Sequence, residues 1–141
     1  MALPSETRPW GEMWTIFHPQ LTPGLIPNQK DMLVSVKLLR LEPNQKTSLQ
    51  YHSSRAEFLI IAGGQGQIAM PDDESPGDLA VHHVVPGQIV IIRRNERHRL
   101  IAGDKGLEIL EVWHKRVGPE PLGRLEESDI TRLADDYGRV K

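Results

Sequence analysis

Gln50, His52, Glu57 and His98 are polar side chains set in stretches that otherwise read as β-strand. Polar groups on an inward face cost free energy unless they are paired or bind something. Side chains alternate along a strand, so Gln50 and His52 share one face while Leu49 and Tyr51 share the other. Glu57 opens the next strand after the Ser53-Ser54 turn and, if the two segments pair, points to the same side. His98 follows the turn Pro86-Gly87 and the apolar run Ile89-Val90-Ile91-Ile92. One amide oxygen, two imidazoles and one carboxylate make a mixed nitrogen–oxygen set. Such a set suits one borderline divalent ion per chain, zinc first, with manganese, cobalt, nickel or iron as alternatives, and leaves room for water or substrate. A hydrogen-bonded polar cluster inside a small barrel accounts equally for the same residues.

The elements that must hold these residues are short. Strands are expected at Leu33–Leu41, Thr47–His52, Glu57–Ala62, Gly66–Met70, Leu79–Val85, Gln88–Arg93, Arg99–Ala102 and Leu107–His114. Turn chemistry separates them at Glu42-Pro43-Asn44, Gly63-Gly64, Pro71–Asp78, Pro86-Gly87 and Gly103–Gly106. Many short strands with frequent turns give an all-β sandwich or barrel. The Pro-rich residues 1–30 are expected as an irregular wrap, residues 31–116 as the barrel and residues 117–141 as an extension, all in one domain. Leu125, Ile130 and Leu133 sit near helical spacing, which predicts a short helix over Glu126–Tyr137.

Composition narrows the function classes. The chain has 141 residues, no cysteine and a formal net charge of −2. Thiolate metal sites, disulfides and a thiol nucleophile are therefore excluded. There is no broad electrostatic attraction to nucleic acid or to an anionic membrane. The basic run Arg93–Arg99 lacks interleaved aromatics and does not read as a nucleic-acid patch. Asp72-Asp73-Glu74 lacks the ligand alternation of a calcium loop. His18, His114 and the pair His82-His83 read as surface histidines. No apolar run approaches a membrane span, and the first residues lack a secretory h-region, so a cytoplasmic location is expected.

Pro86-Gly87, the strand after it and His98, with His52 and Glu57 upstream, resemble the two-motif pattern of cupins. More closely, the chain resembles the C-terminal domain of type II mannose-6-phosphate isomerases, which also closes the bifunctional guanylyltransferase/isomerases. Arg8-Pro9-Trp10-Gly11 is similar to the opening motif, and Lys37 falls where the family has a lysine on its first long strand. Ser48-Leu49-Gln50, His52, Arg55 and Glu57 match the central motif, Gly63 its closing glycine, His98-Arg99 the second motif and Glu111-Val112 the strand after it. Glu127, Asp129-Ile130, Arg132, Asp135-Asp136 and Tyr137-Gly138-Arg139 match the closing signature. The resemblance implies a double-stranded β-helix, or jelly roll, with a metal inside. The Gln-x-His pair is also similar to the zinc site of type I mannose-6-phosphate isomerases, which supports Gln50 as a ligand. Ser53, Ser54 and Phe58 stand where the family usually has histidine, Arg93 where it has proline, and Trp113 where it has glutamine. The segment His114–Gly123 is longer than in the family.

The resemblance implies aldose–ketose isomerisation of a sugar phosphate, mannose 6-phosphate to fructose 6-phosphate. That reaction moves a proton between C2 and C1 and needs a polarised carbonyl, a base and a hold on the phosphate. Glu111 is the first candidate base and Lys37 the second, if burial depresses its pKa. Arg55, Arg99 and Arg8 are candidates for the phosphate, while Arg132 and Arg139 read as structural ion-pair partners of Asp135 or Asp136. The other readings are a non-catalytic cupin binding a sugar phosphate or small carboxylate, and a metal-dependent dioxygenase. Open sheet edges further predict a homodimer.

Overall fold

A computed structural model describes residues 3, 5–24, 27–72, 75–115 and 129–139. Nine strands follow in chain order: β1 (Ser5–Arg8), β2 (Gly11–Phe17), β3 (Val34–Leu41), β4 (Leu49–Tyr51), β5 (Ala56–Asp72), β6 (Ser75–Val84), β7 (Ile89–Ile92), β8 (Arg99–His114) and β9 (Thr131–Ala134). A single 3₁₀ turn, Gln29–Asp31, is the one helical element among the described residues. No helix there is long and apolar enough to cross a membrane. The main sheet runs β1-β2-β3-β8-β5-β6, with β7 also paired to β5, and every pairing is antiparallel. β4 and β9 form a separate two-stranded sheet.

Three expectations are corrected. The irregular N-terminal wrap is confined to the described residues from 18 to 28: before it, β1 and β2 extend the sheet, and Met13 and Thr15 turn inward. The C-terminal helix is absent from its described part, where Thr131–Ala134 is a strand on β4; its expected start at residues 126–128 lies outside the described residues. The supposed turns at Gly63-Gly64 and Gly103–Gly106 are bends within the continuous strands β5 and β8. Backbone crowding explains the glycines there. A Cβ on Gly64, whose φ is +77°, would meet the Gly106 carbonyl oxygen at 2.2 Å, and one on Gly66 would meet that of Ile101 at 2.3 Å. His18 is buried, and its Nδ1 accepts a hydrogen bond from the Gln20 amide.

The interior is graded along the strands. One inward row places Ile61, Ile109 and Leu39 side by side, and the next places Leu107 against Leu41. All are buried and join Trp10 and Met13 in the apolar core. Full burial of each such side chain contributes about 1.5–3 kcal/mol. Toward the other end the same inward positions turn polar: Leu59 is followed by Glu111 and Lys37, and the next row holds Glu57, Trp113 and Ser35. The apolar end supplies the stability that lets the polar end carry buried charge.

Candidate metal centre and its cavity

Three backbone hydrogen bonds set the polar end. Gln50 and His98 exchange backbone hydrogen bonds of 3.0 and 2.9 Å, so the short β4 segment is fixed to the start of β8. The Asn95 amide donates to the His52 carbonyl at 2.7 Å. Glu57 points inward from β5 between the two histidines. His52 Nε2 lies 2.8 Å from Glu57 Oε1, and His98 Nε2 lies 3.7 Å from Glu57 Oε2. One nitrogen or oxygen from each of the three residues lies within 4.8 Å of the others, and all three are buried.

The donor chemistry fits a divalent ion. His52 Nδ1–H donates to the Asp129 carbonyl at 2.6 Å, and His98 Nδ1–H donates to the Glu96 carbonyl at 3.0 Å. Both rings thereby turn Nε2 toward Glu57, which is the tautomer and orientation a metal ligand needs. Glu57 Oε2 is buried and has no hydrogen-bond partner among the described residues. Burial alone would raise the Glu57 carboxyl. The His52 hydrogen bond and the positive potential of His52, His98 and Arg55 outweigh it and bring the pKa to about 2. Burial, against the pull of Glu57, holds His98 below the usual imidazole range, so it is neutral and able to coordinate at pH 7.

Gln50, His52, Arg55, Glu57, His98 and Glu111 line one cavity, and Arg8, Arg132 and Arg139 line it too. Its free volume is about 90 Å³. That holds an ion with its waters, or one end of a ligand whose remainder lies outside. Arg55 is buried, with its guanidinium 3.3 Å from the Trp113 ring centroid and its Nε 3.7 Å from Glu57 Oε1. The Trp113 indole N–H donates to Glu111 Oε1. Burial first, then the charge of Glu57, raises Glu111 to about 8, although Arg55, Lys37 and the Trp113 hydrogen bond oppose the rise.

Two expected site residues lie elsewhere. Lys37 is fully buried beside Glu111, but its Nζ sits 4.0 Å from the Trp113 ring centroid and it does not line the cavity. Arg99 follows His98 and, by strand alternation, turns outward. It donates to the Thr47 and Ala134 carbonyls at 2.7 and 3.2 Å and ties β9 to the barrel, outside the cavity. The arginines that do reach the cavity from the C-terminal segment are Arg132 and Arg139, which the sequence reading treated as ion-pair partners. Arg139 is held by both Asp135 oxygens at 2.8 and 3.1 Å. Arg132 Nε is buried without a hydrogen-bond partner among the described residues. Burial, then the charges of Arg139 and Arg8, push Arg132 below the usual guanidinium range, with Asp135 acting the other way.

The model of the family described as mannose-6-phosphate isomerase C-terminal matches residues 5–135. The chain belongs to that family. It is 33% identical over 106 residues to the alginate biosynthesis protein AlgA of Pseudomonas aeruginosa, covering 74% of this chain and 19% of the relative. It is 31% identical over 106 residues to the xanthan biosynthesis protein XanB of Xanthomonas campestris pv. campestris, covering 74% of this chain and 20% of that relative. Mannose-1-phosphate guanylyltransferase of Escherichia coli is 29% identical over the same length, with 74% and 19% covered. The chain thus spans about a fifth of the length of these relatives. Among solved structures, oxalate decarboxylase from Bacillus subtilis superposes with a TM-score of 0.71 at 17% identity, over 93% of this chain and 30% of that one. Capsular polysaccharide assembling protein CapF from Staphylococcus aureus gives 0.68 at 15%, over 95% and 33%. These likenesses establish the cupin-type jelly roll.

With the family in hand, its substituted positions can be placed. Phe58 points outward and is 37% exposed, and Arg93 is exposed, so neither touches the cavity. Ser53 and Ser54 grip Asp129: each donates its amide and its hydroxyl to one carboxylate oxygen, at 2.7–3.1 Å. Burial would raise Asp129, but these four hydrogen bonds outweigh it and hold the carboxyl below its usual range. The grip seats the Asp129 carbonyl on His52, so the two serines orient a candidate ligand through the chain's C-terminal segment. Asp129→Ala is expected to weaken zinc binding about 10- to 100-fold, the usual effect of losing a partner that orients a ligand. Competition titration against a chromogenic chelator checks it, with faster proteolysis between residues 129 and 139 as a second readout. Trp113 is the one substituted position whose side chain bonds to a cavity-lining carboxyl, Glu111.

Proposed function

We propose that this chain is a metal-dependent aldose–ketose isomerase acting on a sugar phosphate, with mannose 6-phosphate and fructose 6-phosphate as the first pair to test. The observation that carries the reading is one cavity shared by a His–Glu–His group, a buried carboxyl of raised pKa and four arginines. His52, Glu57 and His98 would hold the ion, zinc first, with Gln50 on the same cavity as a neutral fourth ligand. A bound divalent ion supplies Lewis acidity toward the sugar's carbonyl oxygen. Glu111 takes the proton from one of C1 and C2 and returns it to the other, within the range where a base is most effective near neutral pH. Arg55 keeps Glu57 ionised and stacks on Trp113, which in turn orients Glu111.

Arg132, with Arg8 and Arg139 beside it, takes the phosphate in this reading, in place of Arg99. A small cavity with arginines among its lining suits a ligand bound end-on, sugar head inward and phosphate outward. Arg132→Ala is expected to raise KM for the sugar phosphate about 10- to 100-fold, the loss of a charge-assisted hydrogen bond worth about 1.5–3 kcal/mol. The KM of the unphosphorylated sugar should be nearly unchanged, which separates phosphate binding from general damage.

The alternative of a non-catalytic binding module would draw support from Ser54, Phe58 and Arg93, but none of these is a candidate ligand and two face away from the cavity. Dioxygen chemistry would call for a mainly apolar pocket, and this one is rich in charge. The test is interconversion of the two hexose phosphates by protein loaded in turn with zinc, manganese and cobalt, followed by NMR. Turnover with any of them supports the isomerase. Saturable sugar-phosphate binding without turnover would replace it with the binding module.

A further inference from the structure

Two buried hydroxyls stand side by side just before β4, and only one of them is satisfied by the protein. Thr47 is 3% exposed and Ser48 1%. The Thr47 hydroxyl accepts from the Leu100 amide at 3.0 Å and donates to the Ser48 carbonyl at 3.4 Å. Ser48 Oγ is buried and has no hydrogen-bond partner among the described residues. Alternation along the segment puts Ser48 on the face of Gln50 and His52, and all three line the cavity. A buried hydroxyl without a partner costs stability, and alanine in its place would remove that cost. Such a group calls for a reason, and one that lines a ligand cavity can be satisfied by what the cavity holds.

Building on the sugar-phosphate reading above, we infer that Ser48 is a further binding residue, whose hydroxyl donates to the ligand's phosphate alongside Arg132. Position is the first reason. His52, Gln50 and Ser48 form one row with about 6.7 Å between successive members, so Ser48 stands roughly 13 Å along the chain from the metal end. The arginines gather toward that far end. Register sets Arg132 opposite Gln50 and Ala134 opposite Leu49, and the Tyr137 hydroxyl donates to Gln45 at 2.6 Å, which carries the segment on toward Arg139. Arg8 pairs with Gly11 and Gly11 with Leu41, at the end of β3 away from Ser35 and Lys37. A ligand whose carbonyl meets the His–Glu–His group therefore extends its phosphate toward Ser48. Donor count is the second reason. A phosphate dianion offers only acceptors. Arg8 is engaged by Glu6 at 2.6 Å and Arg139 by Asp135 at 2.8 Å. Arg132 Nε and Ser48 Oγ are the cavity's two buried donors at this end without a partner among the described residues. Charge is the third. Arg8 and Arg139 already add positive potential at Arg132, and a hydroxyl supplies one more donor without a further cation. The neighbouring wall, Met13, Leu39 and Leu100, has no side-chain polar atom to compete for it.

The test compares wild type with Ser48→Ala in two measurements. One is calorimetric titration with fructose 6-phosphate, inorganic phosphate and fructose; the other is thermal unfolding without ligand. Ser48→Ala is expected to raise the dissociation constants of fructose 6-phosphate and inorganic phosphate by a common factor, about 10-fold or more, as for a lost hydrogen bond to a charged group. Fructose binding should not change. The ligand-free Tm should stay level or rise by up to about 5 °C, because the variant no longer buries an unsatisfied hydroxyl. A serine that served only the fold would lower the Tm instead. If the alanine variant fails to fold, Ser48→Cys, of similar shape but a poorer donor, takes its place. Sugar-phosphate affinity equal to that of wild type would overturn the assignment and leave the isomerase reading intact. Fructose weakened together with the phosphates would overturn it too, by moving the hydroxyl to the sugar, and a fall in ligand-free Tm would make Ser48 a structural group. A wild type that binds neither fructose 6-phosphate nor inorganic phosphate would remove the isomerase reading itself, and this role of Ser48 with it.

Discussion

Glu111→Gln is expected to lower kcat for the proposed isomerisation about 10²- to 10⁴-fold and, in the metal-free protein, to raise stability at alkaline pH. Both effects come from one carboxyl. Burial and the nearby charge of Glu57 raise its pKa to about 8, while an unfolded glutamate sits at 4.5. The folded state therefore holds this proton more tightly than the unfolded state does. The stabilisation that represents is complete below about pH 4.5, declines as pH rises between the two values, and is gone above about 8, where the folded protein must bury the charge. Glutamine never ionises and escapes the decline. The melting temperature of wild type should accordingly fall relative to the variant between pH 5 and 9. Catalysis runs the opposite way, because only the ionised carboxylate can accept the sugar proton. Wild-type kcat should climb with pH, with a midpoint drawn below 8 by the charge of a bound ion. Full activity in Glu111→Gln would remove it as the base. A stability gap that does not change with pH would instead show that Glu111 ionises like an exposed carboxyl.

Much of the sheet could be read from turn chemistry and alternation. The errors came where one local pattern has two physical meanings. Glycine marks a reversal or a place where two backbones press together, and at Gly64 and Gly66 it marks the second. Only the partner strand, absent from local sequence, distinguishes them. At the C-terminus, the spacing of Leu125, Ile130 and Leu133 suggested a helix, yet the decisive period is two: Ile130 and Arg132 line the cavity while Thr131 and Leu133 are exposed. The same alternation explains Arg99. A residue next to an inward histidine on a strand must face the other way, so its outward position was legible from His98 alone.

The site divides similarly. His52, Glu57 and His98 stood out because ionisable residues in strand-like segments have few other uses, and Gln50 because it shares the His52 face. Arg132 did not stand out, since an arginine beside two aspartates reads as an ion pair. Arg139 does make that pair with Asp135, whereas Arg132 Nε is buried without a hydrogen-bond partner among the described residues. The serines were legible only as missing histidines. Their work, holding Asp129 against His52, depends on a contact across 76 residues of sequence that no local pattern encodes.

Protein prepared without a nickel column is expected to carry about one transition-metal ion per chain, and His52→Ala to carry almost none. Without His52 the site keeps Glu57, His98 and the weakly donating Gln50 amide, and lacks the second imidazole on which its affinity for zinc depends. Elemental analysis of the two proteins side by side gives the count. Thermal unfolding gives an independent reading, because an ion that binds only the folded state stabilises it by about 2.7 kcal/mol when its free concentration is 100 times the dissociation constant. For a domain of this size that is roughly 8–10 °C in Tm. His52→Ala should abolish the zinc-dependent shift. It should also lower the Tm of the metal-free protein, since removing the buried imidazole leaves a cavity inside the barrel and frees the Asp129 carbonyl that it held. The metal-dependent part must vanish as pH falls, because protons compete with the ion for its imidazole ligands while Glu57, near 2, stays ionised. Zinc stabilisation that persists unchanged in the variant, or that is insensitive to acid, would place the ion elsewhere. The His–Glu–His group would then be a hydrogen-bonded core cluster, and the base and arginines around it would lose the electrophile that the proposed chemistry requires.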